Sequence, residues 1–169
     1  AFMWACVYGH KDVLQLLLEY SEIIELNARD DGGYTAFMVA CQSGHKDVVQ
    51  LILDHSDIIE LNATTNDGTT AFMLACQNGH KDVVQLLLDN SERIDLNART
   101  NDGCTALIMA CQSGHKDVVK LILDHSDRID LNARNNDGYT AFMFACGWVF
   151  VDETDRNINI IKLLLDHSL

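Results

Sequence analysis

A period of 35 residues governs this sequence. The stretch TAFMVACQSGHKDVVQLIL, from Thr35 to Leu53, returns as TAFMLACQNGHKDVVQLLL from Thr70 and as TALIMACQSGHKDVVKLIL from Thr105. A broken copy opens at Ala1 and a stretched one follows Thr140. The spacing is marked by His10, His45, His80 and His115, and again by Asn27, Asn62, Asn97 and Asn132. A strict period of this length belongs to solenoids and propellers, in which each unit packs mainly on its neighbours. Everything else in the chain has to be read through the repeat.

Within a unit, Thr35 is placed to cap a helix, its hydroxyl accepting from a free amide of the first turn. Ala36 to Ser43 then reads as a short helix stopped by Gly44, and His45 to about Asp54 as a second. Asp47 in the first turn of that second helix suits the helix dipole. Val48, Val49, Leu51, Ile52 and Leu53 cover more than one face, as expected of a helix sandwiched between neighbours. The connectors end in Asn-Asp-Gly, where Gly68, Gly103 and Gly138 can take positive φ and turn the chain. Each unit is therefore expected to be a tight turn followed by two antiparallel helices.

These motifs carry a resemblance. The Asn-Ala of the connector, the Gly-x-Thr before the first helix, the Ala-Cys pair, the Gly-His and the Val-Val-x-Leu-Leu-Leu helix together resemble the ankyrin-repeat family, about five times over and across essentially the whole chain. The resemblance implies an all-α repeat solenoid: a stack of helix-turn-helix units joined by β-hairpin-type turns. The tips and first helices would line a concave face. The expected units are a partial one at 1–28, then 29–63, 64–98, 99–133 and 134–169. Three departures stand out. The proline usual after Thr is Ala36, Ala71, Ala106 or Ala141, which the first helical position tolerates. The family's His in that motif is Met38, Met73, Ile108 or Met143, which removes a polar tie between repeats. The unit is about two residues longer, from which a longer second helix or a different approach to the turn is expected.

The last unit breaks the pattern. Cys111 to Lys120 spans nine positions but Cys146 to Lys162 spans sixteen, so seven residues are inserted near 147–159. Trp148, Val149, Phe150 and Val151 in the insertion form an apolar run. Trp148 and Phe150 are a candidate second surface, although folding back over the end of the array is the favoured reading. Neither end carries the polar capping unit that solenoids need. The sequence thus reads as an excerpt of a longer array, or as one whose ends find partners.

Charge and cysteine narrow the field. A net charge of −13 disfavours nucleic acid, whose phosphates would be repelled, and favours a basic partner. No run of the roughly 18 uncharged apolar residues that a membrane span needs is present. Cys6, Cys41, Cys76, Cys111 and Cys146 fall one per unit. Equivalent helices in a stack lie about 8–10 Å apart, beyond the ~7 Å Cα separation a disulfide allows. Free thiols, and with them a reducing, cytoplasmic setting, are expected. Cys104 falls in a loop and is the thiol most open to modification.

No catalytic or metal centre is expected. A column of one histidine per unit cannot converge on zinc, which needs three or four ligands about 2 Å from one point; hydrogen bonds that fix the inter-helix turn are the better role. Asp54-His55-Ser56 has the letters of a hydrolase triad, but neighbours on a helix do not face one another. Asp155-x-Asn157-x-Asn159 has the outline of a calcium loop with Ile160 where glycine is required. Asn62-Ala63-Thr64 is a glycosylation sequon by letters only.

What remains is a binding surface without cofactor. The resemblance places partner contacts at the tips and the exposed edge of the first helices. Here those are Asp31, Asn66, Asn101 and Asn136; Asp67, Asp102 and Asp137; Tyr34, Thr69, Cys104 and Tyr139; and Gln77, Asn78, Gln112 and Ser113 with the matching Gln42 and Ser43. Together they describe an acidic, amide-rich groove for a protein partner. Their near-identity from unit to unit also fits recent duplication or a consensus-like design without a natural partner. Self-association through the ends is the structural alternative.

Overall fold

The computed structural model describes residues 1–22, 24–147 and 154–167. Five helix pairs follow one another: α1 (Phe2–Tyr8) with α2 (Lys11–Glu19), α3 (Ala36–Ser43) with α4 (Lys46–Asp54), α5 (Ala71–Gln77) with α6 (Lys81–Asp89), α7 (Ala106–Gln112) with α8 (Lys116–Leu123), and α9 (Ala141–Gly147) with α10 (Thr154–Asp166). First helices pack in the order α1, α3, α5, α7, α9 and second helices in the order α2, α4, α6, α8, α10. Among the described residues there is no sheet. Two isolated bridges, Thr64 to Thr70 and Arg134 to Thr140, are what the hairpins reduce to.

The local chemistry follows the residues. Thr35, Thr70, Thr105 and Thr140 each accept from the amide three residues on, at 3.3–3.4 Å. At Thr35 the box closes, because its own amide donates to Met38 Sδ at 3.5 Å. A thioether is a weak acceptor, so Met38 keeps a local cap while remaining fully buried. Each tip is a four-residue turn, with Gly68 N–H donating to Thr65 C=O at 3.0 Å and φ of 85° at Gly68. A Cβ there would also lie 2.9 Å from the Asn101 amide of the next tip, so Gly68 serves both the turn and the stacking.

The second helices of the first four units are not lengthened. Helix α4 stops at Asp54, and the extra residues of the unit form a short 3-10 turn at Ser56–Ile58 that leads into the connector. In the last unit the helix begins at Thr154, so α10 runs 13 residues where α4 has 9. Part of the insertion is thus an N-terminal extension of a helix, and Asn157 is buried within it.

The core is one continuous layer between successive units. Phe37, Met38, Ile52 and Leu53 are fully buried, as are their counterparts Phe72, Met73, Leu87 and Leu88 one unit on. Cys6, Cys41, Cys76 and Cys111 are buried free thiols in the same layer, filling the space of a small apolar residue.

Candidate functional site

Three sets of side chains that repeat most faithfully all cross from one unit to the next. Asn27 Nδ2 donates to Ile58 C=O at 3.0 Å while its Oδ1 accepts from Glu60 N–H at 2.9 Å. Asn62 repeats this pair on Arg93 and Asp95, and Asn97 on Arg128 and Asp130. A side-chain amide offering donor and acceptor together mimics a backbone peptide, so each connector is clipped to the following one.

The histidines form the second set, and their role differs from the expectation. His45 Nε2–H donates to Val7 C=O at 2.9 Å, His80 to Gln42 at 2.7 Å and His115 to Gln77 at 2.9 Å. Each bond reaches the last turn of the preceding first helix instead of fixing its own turn. The rings lie flat against the glycine that ends that helix. A Cβ on Gly44 would come within 2.4 Å of His80 Nδ1, and φ there is 76°. The Gly-His pair is therefore two halves of two different contacts, with the His of one unit sitting on the Gly of the unit before.

The tips supply the third set. Asn66, Asn101 and Asn136 donate from their backbone to Gly32, Asp67 and Asp102 at 2.8–2.9 Å. Their side-chain amides donate to Asp31, Asn66 and Asn101 carbonyls at 2.8–3.0 Å. These three asparagines, foreseen as contact residues, already hold the row of tips together while staying exposed.

The other foreseen residues divide by exposure. Asp31, Asp102 and Asp137 are exposed and make no ion pair among the described residues. Asp67 is exposed but engaged: the Thr65 hydroxyl, and after it the Thr69 hydroxyl and amide, bond its carboxylate and hold its pKa below the usual aspartate value. Thr69 itself is buried and offers a partner little. Tyr139 is exposed and packs its ring 5.7 Å from Phe144, while Tyr34 and Cys104 are half-buried. Gln77 and Gln112 are exposed, Asn78 is exposed with its amide on Leu74 C=O, and Gln42, Ser43 and Ser113 are half-buried. Trp148 and Phe150 lie outside the described residues.

Sequence reasoning passed over a second charged surface. Glu19, Asp54, Asp89 and Asp124, then Glu22, Asp57, Glu92 and Asp127, then Glu25, Glu60, Asp95 and Asp130 form three exposed columns along the second-helix ends and connectors. Arg29 offsets Glu60 at 3.5 Å and Arg128 offsets Glu92 at 3.1 Å. The same 35-residue register that exposed the asparagines would have revealed these columns.

The chemistry offered is that of a surface. Among the described residues no three His, Cys, Asp or Glu side chains come together to hold a metal ion, and no helix is long and apolar enough to cross a membrane. His55 Nδ1–H is spent on Leu51 C=O at 2.9 Å, which removes it from any relay with Asp54. Burial pushes the Cys6 and Cys111 thiols up to about 12, and that of Cys41 well above its ordinary value, so they are not nucleophiles.

Comparison with curated proteins finds none that matches the chain. The profile of the family described as ankyrin repeats (3 copies) matches at residues 1–65, 58–135 and 92–169, which together span it. Such repeats are in general protein–protein interaction modules, and proteins built from them are typically non-catalytic. Helix pairs stacked in register, reduced hairpins at the tips and a profile that matches from the first residue to the last lead to one conclusion: the chain belongs to the ankyrin-repeat family.

Proposed function

We propose that the chain is a non-catalytic scaffold that holds a basic protein partner along the concave face of tips and first helices. Five units with boundaries at 29, 64, 99 and 134 would build that face. The observation that carries the reading is the division of labour at the tips. The amides of Asn66, Asn101 and Asn136 are consumed by stacking, whereas the carboxylates of Asp31, Asp102 and Asp137 stand exposed without a cation. Unpaired carboxylates in a row attract and orient a cationic partner. Tyr139 beside them is the residue type that anchors interfaces. The three connector columns add long-range attraction, which acts on the rate of encounter more than on residence. Buried free thiols suit the cytoplasm as the place of action.

The test is capture of partners by the intact array and by D31K/D102K/D137K, followed by affinity measurement on the captured protein at several salt concentrations. The reading predicts at least a tenfold loss of affinity and a flatter salt dependence for the triple variant. Unchanged affinity would remove this face as the binding site.

A further inference from the structure

The junction between the first and second units lacks an arginine that the next two junctions carry. Between the third and fourth units, Arg128 reaches back to the unit before it: its guanidinium donates to the Ser91 hydroxyl and, at 3.1 Å, to the Glu92 carboxylate. Between the second and third, Arg93 reaches back to donate to Leu53 C=O at 3.3 Å. In the second unit the same register is held by Ile58, which is 46 % exposed. The acceptors that an arginine at this place would meet are Ser21, Glu22 and Leu18 C=O, the counterparts of Ser91, Glu92 and Leu53 C=O. Among the described residues neither the Ser21 hydroxyl nor the Glu22 carboxylate has a hydrogen-bond or ion-pair partner.

The space is present as well as the acceptors. Ser21, Glu22, Ile24, Leu26 and Ile58 line a groove of about 360 Å³. Leu26 is buried and Ile24 half-buried, so the groove has an apolar floor with its polar atoms at the rim. Asn27 fixes its shape by clipping the two connectors together through Ile58 C=O and Glu60 N–H. An aliphatic floor beneath a hydroxyl and a carboxylate suits arginine, whose stem lies on apolar surface while its planar fork donates in two directions at once. The filled junction shows that this side of the array stays open with a unit on either side, since the side chains of Glu92 and Arg128 remain 86 % and 39 % exposed.

We propose that this groove is an arginine slot: it takes the guanidinium of an arginine side chain supplied by another protein, held by Ser21 and Glu22 as Ser91 and Glu92 hold Arg128. Isoleucine at position 58 converts a structural bond of the array into a binding site. The slot uses a different surface from the tips and stands whether or not the tips bind a partner. It engages one side chain and no backbone amide, so it orients a basic protein on encounter and leaves lasting contact to the tips.

The experiment is an NMR titration of the isotope-labelled 18.9 kDa chain with N-acetyl-arginine amide and, separately, with N-acetyl-lysine amide. Arginine is expected to shift the signals of Ser21, Glu22 and Ile58 saturably, lysine to bind at least threefold more weakly, and E22Q to weaken the arginine response. I58R closes the slot with the chain's own arginine and abolishes the response. R128I opens the equivalent slot, so that Ser91 and Glu92 begin to respond. Each of these two exchanges installs a residue that the chain itself uses at the counterpart position, so the fold is retained. No saturable response, equal binding of lysine, or a response spread evenly over the three acidic columns would overturn the proposal. So would an I58R variant that still responds, or an R128I variant in which Ser91 and Glu92 do not.

Discussion

At the scale of single residues, the faithful positions of the repeat are joints between units. Gly44 shows this most sharply, since its missing side chain is what allows His80 to lie against the helix end. Gly44→Ala combines a positive φ with a clash and is expected to cost about 1–3 kcal/mol. Much of that cost should return in a His80→Ala background, because the crowding then has no second partner; chemical denaturation of the four proteins in the cycle reads the coupling. Asp67 gives a second prediction. Its carboxylate is held in the charged form first by the Thr65 hydroxyl. A lowered native pKa contributes stability that is present above the unfolded value, about 3.9, and that is lost as pH falls through the native one. Thr65→Val should raise the Asp67 pKa toward the ordinary value in a carboxyl NMR titration.

At the scale of elements, the helices were legible because their boundaries are chemical. Thr70 and Thr105 cap them, Gly79 and Gly114 end them, and the alternation of Gly-His with an apolar run sets the second helix. The start of α10 was not legible, since the insertion before it offers no Thr-x-x cap and no Gly-His to mark the turn. The direction of the histidine bonds was hidden for another reason: the partners are 38 residues apart, and sequence alone does not distinguish a bond within a turn from one to the same place in the previous unit. Burial of Thr69 was equally invisible beside Tyr34, Cys104 and Tyr139, because it depends on a hydroxyl folding back onto Asp67. The element that carries a thiol decides its reactivity. Cys41, Cys76 and Cys111 sit buried in the last turns of first helices packed on both sides, whereas Cys104 stands at a tip and Cys146 near the end of α9, both half-buried. A thiol-reagent time course on the native protein should therefore label Cys104 and Cys146 first and the four buried cysteines, Cys6 among them, only on unfolding, as mass mapping would show.

At the scale of the whole molecule, one layer of packing is repeated from unit to unit, while the charge is carried outside it. The negative potential has two seats, the tips and the connector columns, and the account assigns lasting contact to the tips alone. Hydrogen–deuterium exchange of the array, free and bound to its captured partner, separates the two directly. The account predicts new protection over residues 66–69, 101–104 and 136–139 and at the ends of α5 and α7, with 54–60, 89–95 and 124–130 unchanged. Protection confined to those connector segments would contradict it.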